Sequence, residues 1–140
     1  MAETKWRTDG VRVMRAVSLR AAALGTGRAT AFNFSADNQK TWIGTVTLQP
    51  GAKTPAHHHG PTEAAVYVVN GRGQIRWGEQ LEFTTDVGTG DFVHFAPYVP
   101  HQELNLALDE PLHLVSVRSN DEGILVDLHV ASIEQPESIF

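Results

Sequence analysis

A chain of 140 residues is the size of one domain and can bury roughly 70% of its unfolded surface without a disulfide or a structural metal. Sixteen acidic against eleven basic side chains, a formal net charge of −5, argue against nucleic acid or an anionic membrane as partner. The absence of cysteine excludes disulfides, thiolate ligands and thiol nucleophiles.

The first segment is basic: Lys5, Arg7, Arg12, Arg15, Arg20 and Arg28 crowd the start, which reads as a solvated edge. Met1–Gly10 lacks the apolar centre of a secretory signal, and no stretch approaches the ~20 apolar residues of a membrane span, so a cytoplasmic address is expected. Val13–Leu24, rich in Ala and Arg, suggests a short helix, with a strand over Thr8–Val13 as the alternative. Beyond it, turn markers recur at short intervals: Pro50-Gly51, Gly60-Pro61, Asn70-Gly71, Gly88-Thr-Gly90, Pro97 and Asp109-Glu-Pro111. Between them lie runs rich in β-branched and aromatic residues, at Thr41–Leu48, Ala65–Val69, Gln74–Trp77, Asp91–Ala96, Leu112–Arg118 and Ile124–Val130. That rhythm predicts an all-β sandwich or barrel in a single domain spanning 1–140. Asn70-Gly71 predicts a hairpin between the two strands that flank it. The tail from Glu134 to Phe140 has few packing residues and is expected along the surface.

Three consecutive histidines, His57-His58-His59, carry the chemistry. In an extended segment His57 and His59 point one way and His58 the other. With Glu63 nearby and His101 following the rigid Pro97-Tyr-Val-Pro100 turn, they make a candidate metal site. Imidazoles suit Zn, Fe or Ni, and a carboxylate widens the choice toward Mn and Fe, so one divalent transition ion per chain is expected.

These residues fall into two motifs that resemble those of the cupin superfamily of small double-stranded β-helix barrels. The first runs from Gly51 through His57-His58-His59 and Glu63 to Gly71; the second from Gly90-Asp91 through Pro97 and His101 to Asn105. The resemblance covers about residues 40–118 and implies a jelly-roll barrel preceded by a short N-terminal extension. It implies His57, His59, Glu63 and His101 as ligands at the barrel mouth, and a homodimer. Two departures stand out. Seven residues rather than six separate Glu63 from Gly71, so strand phase puts Ala64 at the ligand position. Either a bulge before Ala65 restores Glu63 as a ligand, or Glu63 hangs back as a base. The glycine usual in the proline turn is Tyr98 here, which places a phenol near the mouth.

Glu103 shares a face with His101 and is a candidate general acid or base; Glu63 and Tyr98 are further candidates. Gln102 should face away and Asn105 should hold the following turn. His58 and His94 should face outward, and His113 and His129 are expected to be structural. Trp42 or Trp77 would floor a pocket. Arg76 or Arg118, if turned inward, would clamp a substrate carboxylate. The function expected is a small-molecule metalloenzyme, first a dioxygenase-type oxidoreductase. The alternatives are a Lewis-acid isomerase, lyase, decarboxylase or cyclase, and a non-catalytic binding cupin.

Overall fold

The computed structural model describes residues 6, 7, 10, 11, 13, 15, 20–24, 27–33, 41–119 and 125–140, with the backbone alone over 20–24 and 27–33. Its strands are β1 (Arg20–Leu24), β2 (Gly27–Asn33), β3 (Trp42–Leu48), β4 (His57–His58), β5 (Ala64–Asn70) and β6 (Arg72–Trp77). They continue as β7 (Phe83–Gly88), β8 (Phe92–Phe95), β9 (His101–Leu104), β10 (Leu112–Arg118), β11 (Val126–Asp127) and β12 (Glu137–Ser138). One sheet has the order β1-β2-β3-β10-β5-β8 and the other β11-β4-β9-β6-β7-β12. The chain is all-β, a double-stranded β-helix.

The core sits between the sheets. Alternation turns Val66 and Val68 of β5, and Leu112 and Leu114 of β10, inward, where they join Leu48 and Phe95 of the same sheet and Ile75 of the opposite one. Burying such side chains supplies roughly 1.5–3 kcal/mol each, which makes this alternating set the main organiser of the barrel.

Three expectations need correction. Arg20–Leu24, placed in a helix by its composition, is a strand paired antiparallel with β2; pairing with a neighbouring strand overrides a weak helical propensity. Of the alternative Thr8–Val13 strand, Thr8, Asp9 and Arg12 lie outside the described residues, as does Lys5 of the basic segment. Asn70-Gly71 is not a hairpin turn. β5 and β6 lie in different sheets, and Gly71, with φ +105°, swings the chain from one to the other. A Cβ there would stand 2.7 Å from the Pro111 carbonyl oxygen, so the corner admits only glycine. Of the run at Ile124–Val130, Val126–Asp127 forms a strand against β4 and the Leu128 amide donates to the Ala56 carbonyl; Ile124 lies outside the described residues. The tail does run along the barrel surface, its β12 adding to the edge of β7 in parallel.

Candidate metal centre

The segment leading into β4 buries every second residue, Ala52, Thr54 and Ala56. At Ala56 the backbone bends, and the phase slips by one, so that His57 is buried directly after Ala56. From there the strand rule holds: His57 and His59 turn inward, while His58 is half-exposed and accepts a hydrogen bond from the Gly60 amide at 2.9 Å. β4 pairs with β9 with His57 opposite His101. Two separated stretches thereby bring three imidazoles together, and their candidate ligand nitrogens all lie within 4.8 Å of one another.

Each of two rings is aimed by its backbone. Nδ1 of His57 donates to the Pro55 carbonyl at 2.7 Å, and Nδ1 of His101 donates to the Val99 carbonyl at 3.0 Å. A carbonyl only accepts, so the proton of each ring sits on Nδ1 and the lone pair on Nε2. Both lone pairs face Glu103. Nε2 of His57 is 3.7 Å from one carboxylate oxygen and Nε2 of His101 is 3.7 Å from the other. These separations are too long for hydrogen bonds and are of the order expected between donors that share one ion, each about 2.1 Å from it. Nε2 of His101 is buried and has no hydrogen-bond partner among the described residues. A buried lone pair left without a partner is costly, and a cation satisfies it. The set of three imidazoles, with the Glu103 carboxylate beside two of them, therefore fits a divalent transition ion.

Electrostatics favour the same state. Burial pushes His101 down to about 4, against smaller opposing pulls such as that of Glu103, so the ring is neutral at neutral pH and its lone pair is free to coordinate. Burial alone would raise Glu103, but the imidazoles of His101 and His57 and a hydrogen bond from Thr54 hold its carboxyl below the usual range. Thr54 acts twice: its hydroxyl donates to Glu103 Oε2 at 2.9 Å and accepts from the Glu103 amide at 3.0 Å. Gln102, on the other face of β9, is buried too and donates to the Thr54 carbonyl at 3.0 Å. Thr54 had no mark in the sequence, because its approach to Glu103 depends on the phase slip at Ala56.

The structure does not bring Glu63 to the cluster. β5 pairs with β8 without a bulge, Ala64 opposite Phe95 and Ala65 opposite His94, so Ala64 takes the inward position and Glu63 faces out. The Glu63 side chain is 60% exposed and accepts a hydrogen bond from His94 at 3.0 Å. Tyr98 also stays outside. It lies on the rim with its ring 5.8 Å from that of His58, and its backbone occupies φ +63°, the left-handed region where a glycine sits without cost. Arg76 turns outward to bond Gln74, whereas Arg118 turns inward over the Trp42 ring. His113 pairs with Thr47 on the outer face, and Asn105 holds the turn through the carbonyls of Leu48 and Glu110.

A cavity of about 590 Å³ opens beside the centre, lined by Ile75, Trp77, Val87, Val93, Phe95 and Val99 among others. His57, His59 and His101 do not line it. Phe95 connects the two, since its ring lines the cavity and stacks on His101 at 3.8 Å between centroids.

A family model for the cupin domain matches residues 44–118. No curated protein matches the sequence. Among solved structures, an uncharacterized conserved protein with a double-stranded β-helix domain from Klebsiella pneumoniae is similar at 17% identity and a TM-score of 0.67, covering 85% of this chain and 98% of that one. Bacillus subtilis oxalate decarboxylase, a protein with Mn(II) centres, is similar at 20% identity and a TM-score of 0.68 over 82% of this chain; this chain spans only 32% of that one. Peruvianin-I, a cysteine peptidase from Thevetia peruviana latex, reaches a TM-score of 0.74 at 12% identity over 88% of this chain and 80% of that one. A chain without cysteine cannot share that peptidase's nucleophile, so these likenesses speak for the fold. With more than half of its length inside the family match and a buried three-histidine cluster between its sheets, the chain belongs to the cupin family and is built as a metal cupin.

Proposed function

We propose that the chain is a metal-dependent enzyme acting on a small molecule, with His57, His59, His101 and Glu103 holding one divalent ion. The observation that carries this reading is the convergence of the Nε2 atoms of His57 and His101 on the two oxygens of one buried carboxylate. A divalent ion held there supplies Lewis-acid or one-electron chemistry at its open positions. The protein's own residues orient the donors, keep His101 neutral and exclude water with the Phe95 ring.

Dioxygenase-type oxidation of an enol, phenol or diketone is the first reading. It is favoured by the anchoring of Glu103 between Thr54 and two imidazoles, which suits a fixed ligand better than a carboxyl that must take up and release a proton. The second reading is a decarboxylase or lyase, favoured by the likeness to a Mn(II)-containing oxalate decarboxylase. Iron-loaded protein should consume dioxygen when given catechols, enols or diketones. Release of carbon dioxide from simple carboxylic acids by the manganese form, without dioxygen uptake, would shift the assignment to the second reading. Protein inert in both assays at full metal loading would defeat an enzymatic role. The same proposal has two copies joined through the outer face of the β10-β5-β8 sheet, where Tyr67, Val69 and Phe92 are exposed. A single-chain mass in light scattering would remove that part.

A further inference from the structure

Arg118 closes β10 in phase with Leu112, Leu114 and Ser116, all of which are buried. Strand alternation therefore turns it into the barrel. Its register partners are Trp42 on one side and Ala64 on the other, and Ala64 is paired in turn with Phe95, whose ring stacks on His101. The row Trp42, Arg118, Ala64, Phe95 thus crosses the first sheet and ends at the histidine cluster of the second. The guanidinium carbon lies 3.8 Å from the centre of the Trp42 ring, a cation–π seat that fixes the plane of the fork. Its Nε is buried and has no hydrogen-bond partner among the described residues. Burial lowers Arg118 to about 10 and the Glu103 charge opposes this, so it stays cationic at neutral pH.

A cation beside a metal centre works against metal binding. Glu103 is the carboxylate whose charge reaches Arg118, and it cannot balance both a guanidinium and a divalent ion. The remaining charge and the unused Nε donor call for an anion from outside the chain. Resting on the reading of the cluster as a metal centre, we propose that Arg118, seated on Trp42, is the recognition element for a carboxylate. The ligand class is then small carboxylic acids that carry a second oxygen donor to turn toward the histidines. A guanidinium fork binds a carboxylate in two parallel hydrogen bonds, a match that neither an amide nor a lysine reproduces.

The test is calorimetric titration of malonate, with uncharged malonamide as control, into the manganese-loaded full-length chain and into Arg118→Met. The expected result is malonate binding to the wild type in preference to malonamide. In Arg118→Met it should weaken by roughly 10–100-fold, as for loss of charged hydrogen bonds. Metal affinity should be unchanged or higher, since a repelling charge is gone. Equal malonate affinity in both proteins, no preference over malonamide, or loss of metal from Arg118→Met overturns the assignment. Should Arg118→Met fail to fold, Arg118→Lys keeps the charge without the fork. It must then weaken malonate binding at full metal content, and unchanged affinity contradicts the proposal. Normal metal uptake with malonate indifferent to Arg118 sinks this inference alone. No metal uptake by the wild type sinks the metal centre and this inference together.

Discussion

Of the two glutamates considered for the site, Glu103 lies on the face expected of it and Glu63 does not. Glu63, at the motif position, bonds His94 in solvent, and Glu103 faces two imidazoles in the interior. The cause is strand phase. The register shift of β5 lies at its far end, against β10 near Val69, and not before Ala65, so Ala64 takes the inward position, and the carboxylate that shares a face with His101 is two residues further along β9. Both placements were legible, the first in the seven-residue gap between Glu63 and Gly71 and the second in the spacing of His101 and Glu103. Tyr98 shows a different kind of substitution. A non-glycine residue in the left-handed region costs about 1–2 kcal/mol, and its ring gains only a rim position against His58. Tyr98→Gly should leave metal content unchanged and hold or raise stability by up to about 1 kcal/mol, because relief of strain exceeds the added freedom of the unfolded chain. A clear loss of stability in denaturant would show that the phenol packs something that matters.

Several strands could be read from alternation and turn chemistry: Leu112–Arg118 matches β10 at both ends, and Thr41–Leu48 and Ala65–Val69 are within a residue of β3 and β5. The corner at Gly71 could not. A glycine after asparagine marks a reversal equally well within one sheet or between two, and only the packing of Leu112 and Pro111 decides. The approach of Thr54 to Glu103 was hidden for a related reason, since a one-residue phase slip at Ala56 breaks the period that makes a strand legible. Asn105 ties three elements together. Its amide nitrogen donates to the carbonyls of Leu48 and Glu110, and its side-chain oxygen accepts from the Ala107 amide. The side chain is fully buried, so Asn105→Ala strands several polar groups at once. It should cost about 2–4 kcal/mol in equilibrium unfolding while leaving the metal-to-chain ratio of folded protein unchanged. A cost below about 1 kcal/mol would mean that water replaces the amide there.

At the scale of the molecule, the buried centre couples stability to pH. His101 holds no proton in the folded state until pH falls to about 4, whereas the unfolded chain takes one up near 6.5. The unfolded state therefore binds more protons between these values. The contribution of His101 to stability is complete above 6.5 and declines as pH falls toward 4. Glu103, held below its ordinary value, adds a loss in the same direction at the acid end of this window. Metal-free protein should lose up to about 3 kcal/mol between pH 7 and pH 4, since each tenfold difference in proton affinity between the folded and unfolded chain is worth about 1.4 kcal/mol. A flat profile in denaturant titrations would mean that His101 is not held neutral by burial. The proposal that Glu103, and not Glu63, serves the ion bears the most weight, and metal affinity measured by titration of untagged protein tests it directly. Wild type should bind one divalent ion per chain, and Glu63→Gln should bind it equally well. Glu103→Gln should weaken it by at least the roughly 10–100-fold typical of residues that merely support ligands. Loss of affinity in Glu63→Gln, with Glu103→Gln unaffected, would contradict that proposal.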